Sequence, residues 1–176
     1  MKKYLFLLIA LFPVISAAQT KVTAAEKYIA KYHKLAIFEM QSTGIPASIT
    51  LAQALHESAN GTSQLAVKAN NHFGVRCSSN WNGKRFYRNG NKKNYCFRKY
   101  NTVEEAYKDR SSFLSKNKKY AFLFKYGQQD YIHWAKGLQR AGYASSKIYA
   151  KQLINTIDRY NLAQYDKMGG SKNDSL

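Results

Sequence analysis

Acidic residues are scarce in this chain. Ten Asp and Glu stand against 28 Lys and Arg in 176 residues, a formal net charge of +18. Such an excess points to polyanionic partners and carries no information about fold. With 2 prolines and 10 glycines, a collagen-like or low-complexity chain is excluded. Cys77 and Cys96 are the only cysteines, with no CxxC pair, so neither a cysteine-rich zinc site nor a disulfide-dense scaffold fits. His33, His56, His72 and His133 are scattered, and no metal is expected. After the N-terminal segment no apolar run reaches the ~18 residues that suggest a membrane span. What is present is a 45% hydrophobic content, enough for one domain with a real core, and 14 tyrosines.

The first residues read as a targeting segment. Lys2 and Lys3 precede an apolar stretch from Leu5 to Ile15, and Ser16-Ala17-Ala18 offers small residues before Gln19. This is the pattern of a secretory signal peptide over residues 1–18. It places the mature domain at 19–165, in the periplasm, cell wall or extracellular space. No cysteine sits at the cleavage position, so no lipid anchor is expected there. In an exported protein Cys77 and Cys96 are expected to pair, with two free thiols as the alternative. Closing that loop of about 20 residues is worth ~3 kcal/mol in the chain-entropy description.

The remaining sequence is mostly helical in period. Ala25, Tyr28, Ile29, Tyr32, Leu35 and Ala36 recur at helical spacing between Thr23 and Met40. Gly44-Ile45-Pro46 breaks this helix and opens a second, over about 47–59, whose expected inner face is Ala47, Leu51, Ala54, Leu55 and Ser58. Leu65 to Ala69 is a short helix. From Cys77 to Tyr100 the texture changes: Trp81, Phe86, Tyr87, Tyr95, Phe97 and Tyr100 fall in short runs separated by Asn82-Gly83 and Asn89-Gly90, which predicts a small hairpin lobe. Thr102 and Glu105 form a capping-box pair before a helix over about 103–115. Asp130 caps the next helix, Gly142 ends it, and Ser145 or Ser146 opens the last. Residues 166–176, with Gly169-Gly170-Ser171, read as a disordered tail. The expected class is mainly α with a small β-lobe.

Because acids are few, their positions are informative. Glu57 lies in the last turn of the second helix, and no other Asp or Glu occurs between Glu39 and Glu104. Helix dipole and burial raise such a carboxyl while nearby cations lower it. A carboxyl kept partly protonated is what a general acid requires. By helix position alone, an ordinary boundary glutamate is the favoured reading of Glu57.

Three ordered blocks change that balance. They are Ile45 to Ala66, with Gln53-Ala54-Leu55-His56-Glu57-Ser58 and Gly61-Thr62-Ser63-Gln64-Leu65-Ala66; then Asn70-Asn71-His72-Phe73-Gly74-Val75-Arg76; then Leu138-Gln139-Arg140-Ala141-Gly142-Tyr143-Ala144 followed by Tyr149-Ala150. Over about residues 24–162 the chain resembles glycoside hydrolase family 73, the glucosaminidases of flagellar muramidase-like proteins and bacterial autolysins. The resemblance implies a lysozyme-like two-lobed domain that cuts peptidoglycan at the β-1,4 bond after N-acetylglucosamine. It implies Glu57 as the general acid and Tyr143 as a cleft tyrosine, with Asn70, Asn71, Phe73 and Gly74 shaping the cleft floor. It implies no cofactor. On bland readings, Tyr143 packs a helix end and the Asn70-Asn71 loop is a structural turn.

The chain departs from the family where members often carry a second acid in the β-lobe, since residues 58–103 contain none. Glycoside hydrolysis usually uses two carboxylates. Glu104, Glu105 or Asp109 could reach the cleft; the substrate's 2-acetamido group could act as nucleophile, the favoured reading; or the chemistry could be lost. Trp81 or Tyr87 could stack on sugars, beside the basic run Lys84-Arg85 to Arg88. Expected partners are peptidoglycan strands and anionic envelope polymers, with no specific nucleic acid, and a monomer is expected. A wall-binding module without activity and a lytic transglycosylase are the alternatives.

Overall fold

The computed structural model describes residues 22–89 and 94–170. The predicted signal peptide and residues 171–176 lie outside the described residues. The elements in order are α1 (Ala24–Thr43), α2 (Ala47–Ser58), α3 (Gln64–Ala69), β1 (Arg85–Asn89), β2 (Asn94–Arg98), α4 (Val103–Lys116), a 3-10 segment Lys118–Lys125, α5 (Tyr131–Arg140), α6 (Tyr149–Arg159) and a second 3-10 segment Leu162–Gly170. The mainly helical class with one small β-lobe is what the sequence period predicts. None of the described helices is long and apolar enough to cross a membrane.

The core is organised around α2. Every residue from Ala47 to Leu55 is buried, including Ser48, Thr50 and Gln53. The one-sided face predicted from the sequence is therefore too narrow. The physical reason is that α1, α5, α6 and the segment Leu162–Gly170 all pack against α2, which leaves it no solvent side. Its buried polar groups are each tied: Thr50 Oγ1 donates to the Pro46 carbonyl and Gln53 Nε2 to the Tyr149 hydroxyl. Tertiary burial overrides amphipathic pattern here because the polar groups find partners.

The N-terminus of α2 corrects the tail assignment. Pro46 stands at the N-cap and offers no side-chain acceptor. Asp166 supplies it from across the chain, accepting from Ser48 N at 2.8 Å and Ser48 Oγ at 2.6 Å. Asp166 is 2% exposed, and the chain remains helical through Gly170. The ordered domain thus extends beyond residue 165. A carboxylate placed on a helix N-terminus meets unpaired N–H groups and the positive end of the dipole, which is why this polar segment docks.

Local capping signals are mixed. Thr23 and Glu26 form a reciprocal capping box on α1. Thr102 caps α4, but the Glu105 carboxylate bonds Asn101 instead of closing a box. Asp130 caps α5 as predicted. The last helix starts later than its serines imply: α6 begins at Tyr149, with Ile148 at the N-cap, and Ser146 Oγ accepts from the Ile148 amide and donates to Gln152 Oε1.

The β-lobe is a two-stranded antiparallel hairpin pairing Arg85 with Arg98 and Asn89 with Asn94. Two strands alone are marginal in water. This pair is anchored by the Cys77–Cys96 disulfide, with Cα atoms 5.5 Å apart, and by the bridge of Arg76 to Phe97. The expected pairing of the two cysteines is present. It fastens the loop after α3 to β2, and that loop leads directly to the cleft.

Candidate active site

A cavity of about 610 Å³ opens between the helical body and the hairpin base. Glu57 enters it from the last turn of α2. Phe73, Gly74 and Val75 come from the loop after α3, Arg76 and Arg98 from the hairpin side, Arg110 from α4, and Tyr143 from the turn after α5. Among the described residues that line it, Glu57 is the sole carboxylate and three are arginines.

Burial pushes the Glu57 carboxyl above its ordinary value, and the Tyr149 hydroxyl beside it works in the opposite direction. The balance favours a protonated acid at higher pH than a free glutamate allows. Tyr143 is partly buried, stacked on Tyr149 with centroids 5.8 Å apart. Burial pushes its phenol up to about 12, and the facing Arg110 guanidinium opposes that rise. Tyr143 is therefore neutral at any ordinary pH and serves as a hydrogen-bonding group.

The loop residues divide by role. Phe73 lines the cavity and is 4% exposed, edge-on to Tyr107 at 4.8 Å. Gly74 has φ +63, and a Cβ there would sit 3.8 Å from Glu57 Oε2, so the position needs glycine for its backbone. Asn71 is fully buried and structural: its amide donates to the Val75 and Arg98 carbonyls at 2.9 and 2.8 Å, and its oxygen accepts from Val75 N. Asn70 turns away from Glu57, donating to the carbonyls of Tyr100 and Asn101. The loop is thus built by Asn70 and Asn71, while Phe73 and Gly74 form the floor.

Trp81 is not brought to Glu57. It lines a separate cavity of about 350 Å³ with Tyr100 and Asp109, donates Nε1–H to the Lys84 carbonyl at 3.0 Å, and lies under the Arg98 guanidinium at 4.5 Å. Tyr87 is exposed on β1. None of the acids considered as a second catalytic group lines the Glu57 cavity. Asp109 is held by Arg98 at 2.8 Å and by the Tyr100 hydroxyl at 2.6 Å. Glu105 is bonded to Asn101, and Glu104 is exposed on the first turn of α4. His56 turns from Glu57 to Thr156, 2.8 Å from its Oγ1. No cluster of three or more His, Cys, Asp or Glu suited to a metal exists among the described residues.

Sequence reasoning missed Arg110 and the use made of Gln53 and Tyr149. Arg110 is fully buried, donates to Thr50 Oγ1 at 3.0 Å and to Gln53 Oε1, and lies over the Phe73 ring at 5.6 Å. The available signal was a charged residue on the inward stripe Val103, Ala106, Tyr107, Arg110, Leu114.

Known proteins align with this geometry. The glucosaminidase family, described as mannosyl-glycoprotein endo-beta-N-acetylglucosaminidase, matches residues 33–162. The chain is 35% identical over 137 residues to the exo-glucosaminidase LytG of Bacillus subtilis, covering 70% of this chain and 47% of that protein. It is 32% identical over 147 residues to the peptidoglycan hydrolase FlgJ of Escherichia coli K12, covering 77% and 46%. It thus spans about half the length of the curated relatives it matches. The catalytic domain of the autolysin Auto from Listeria monocytogenes superposes with a TM-score of 0.69 at 25% identity, covering 89% of this chain and 99% of that one. The glycoside hydrolase domain of Salmonella typhimurium FlgJ gives 0.67 at 28% identity, covering 82% and 92%. With its lysozyme-like fold and a match over residues 33–162, the chain belongs to the glucosaminidase family, glycoside hydrolase family 73.

Proposed function

We infer that this protein is an exported peptidoglycan hydrolase that cleaves the β-1,4 bond after N-acetylglucosamine, with Glu57 as general acid. The observation that carries this reading is the placement of one half-buried carboxyl, raised above its ordinary value by burial, in an arginine- and aromatic-lined cavity. The peptidoglycan hydrolase and exo-glucosaminidase names of its relatives supply the substrate class.

The missing second carboxylate points to substrate assistance. Protonated Glu57 gives its proton to the glycosidic oxygen as the C1–O bond breaks. The carbonyl oxygen of the 2-acetamido group attacks C1 and closes a cyclic oxazolinium. The Tyr143 hydroxyl hydrogen-bonds this group and orients it. Water, losing a proton to the Glu57 carboxylate, then opens the ring at C1, and net configuration is retained. Arg76 presents positive charge at the cavity to the carboxylates of stem peptides, and the basic surface as a whole holds the enzyme to anionic envelope polymers.

The test is a digest of purified peptidoglycan with the exported protein and its Glu57→Gln variant, followed by borohydride reduction and mass spectrometry. Glucosaminitol ends from the wild type, reduced roughly 10²–10⁴-fold in the variant, are expected. Their yield should fall as pH rises through the elevated Glu57 value, because the acid must be protonated to act. Muramitol or anhydromuramyl ends would assign another bond or mechanism. Binding without any new ends would make the protein a wall-binding module.

A further inference from the structure

We propose that a cavity of about 430 Å³ between α1, the turn after α2 and α3 is a second binding site, for a phosphorylated sugar or polyol. It shares no lining residue with the Glu57 cavity. The proposal goes beyond the role of Glu57 and does not depend on it. Lys27, Tyr28, Lys31 and Tyr32 all line this cavity from α1. The two lysines are one helical turn apart, and so are the two tyrosines, so paired cations and paired rings border the same space. The Lys31 ammonium lies 5.1 Å from the Tyr32 ring centroid. Neither lysine is ion-paired among the described residues, and no Asp or Glu lines the cavity. Two acids are near. Glu26 is tied to Thr23 in the capping box, and Glu104 feels the charge of Lys31 without pairing to it.

The cavity also holds a buried donor. His72 lines it and is 4% exposed. Its Nδ1 lies 2.6 Å from the Tyr28 hydroxyl, which lies 3.1 Å from the Tyr107 hydroxyl. Tyr107 is fully buried, and Tyr28 is the sole partner of its hydroxyl among the described residues. A buried O–H left unused is costly, so Tyr107 donates to Tyr28. Tyr28 then gives its single proton to His72 Nδ1. A neutral imidazole that accepts at Nδ1 carries its own proton at Nε2. That Nε2 has no hydrogen-bond partner among the described residues and is not sealed from solvent. Its N–H is therefore an unused donor open to the cavity. Gly61, at φ +81, lets the turn close on the Tyr28 ring, where a Cβ would stand at 2.8 Å.

These groups select the ligand. Two ammonium groups and one imidazole N–H are donors for an anion. No arginine lines the cavity, so the planar fork that suits a carboxylate is missing, while lysine serves phosphate as a point charge. The volume is that of a small-molecule site and exceeds what one oxyanion fills. The Tyr28 and Tyr32 rings offer a wall for a carbon skeleton, and Asn60 and Thr62 offer partners for hydroxyl groups.

The experiment is an NMR titration of the ¹⁵N-labelled mature chain with glycerol 3-phosphate, at a fixed ionic strength of about 0.15 M. Saturable shifts at His72 Nε2 and at the Gly61 and Thr62 amides are expected. Lys27→Met with Lys31→Met should weaken binding about 10-fold or more. Lys34→Met with Lys68→Met removes the same charge from exposed positions outside the cavity and should weaken it less than about 2-fold. A short glycerol-phosphate oligomer is the second arm. Tighter binding of the oligomer supports the site with an envelope polymer as source, and tighter binding of the monomer supports it with a soluble metabolite. Shifts that spread over the basic surface without saturating overturn the proposal, as does an equal loss in the two double variants. Inorganic phosphate or galacturonate binding as tightly as glycerol 3-phosphate overturns the ligand class. A histidine spectrum with the proton on Nδ1 overturns the donor assignment. No turnover is read, so a protein that binds as described but releases no ends from peptidoglycan overturns the hydrolase reading and leaves this site standing.

Discussion

The two walls of the cavity are held in place by different means. The wall bearing Glu57 is the end of a helix buried on all sides from Ala47 to Leu55, with its polar groups tied to α4, α6 and the C-terminal 3-10 segment. The opposite wall is a loop and a hairpin of two five-residue strands that bury little. Discrete links hold it: one disulfide, the Asn71 amide bridging two carbonyls, and the Arg98–Asp109 ion pair. The difference follows from what each wall can bury. Perturbing a carboxyl requires displacing water around it, so its support must be a packed interior. A small two-stranded lobe leaves most of its surface exposed and cannot be stabilised by buried area alone.

Cutting the links of the hairpin wall should give the largest stability effect. Cys77→Ala with Cys96→Ala is expected to cost about 3 kcal/mol in chemical denaturation. In the folded fraction, Glu57 should still titrate above an ordinary glutamate, because α2 does not depend on the disulfide. A lost Glu57 shift would show that the two walls are coupled.

The loop between the walls carries a pH dependence of similar size. His72 is buried and accepts from the Tyr28 hydroxyl, 2.6 Å from Nδ1. Burial, with Lys31 nearby, pushes its pKa down to about 4. A depressed value means the unfolded chain binds the proton more readily. The stability it contributes is present above about 6.5 and is lost as pH falls toward 4, by roughly 3 kcal/mol. His72→Gln should flatten urea-derived stability across that window.

On the packed wall, Asp166→Ala removes the distant cap of α2. The expected loss is about 1–2 kcal/mol, measurable as a lowered denaturation midpoint with an unchanged slope. A negligible loss would mean that the segment Leu162–Gly170 docks without supporting the helix. The smallest effect is expected at Trp81. Its ring supports Arg98 at the hairpin base outside the Glu57 cavity. Trp81→Phe should therefore change release of reducing ends by less than about 3-fold and stability by about 1 kcal/mol. A much greater loss of turnover would extend the substrate path beyond the cavity.

Much of this division was legible in the sequence. Glu57 stood out because it is the sole acid between Glu39 and Glu104. The hairpin was marked by its aromatics between Asn-Gly pairs, and the paired cysteines by their isolation. The sequence does not reveal that Trp81 lies in a cavity apart from Glu57, because an aromatic beside a basic run reads the same whichever way the ring faces. Arg110 was passed over because a single arginine on an apolar stripe gives no hint of its partners. The boundary at residue 165 failed because glycines and charges mimic a disordered tail when the acceptor role of Asp166 is hidden.

The sequence by itself determined the helical period, the helix stops at Gly44 and Gly142, the β-lobe and the acid at the end of α2, because these depend on near neighbours along the chain. The tertiary structure alone decided that α2 is buried on every side, that Asp166 caps it from 118 residues away, and that Arg110, Gln53 and Tyr149 join three helices by hydrogen bonds. Those features depend on which polar groups meet once the helices pack, and the direction of a hydrogen-bond chain exists only when its donors and acceptors are in contact.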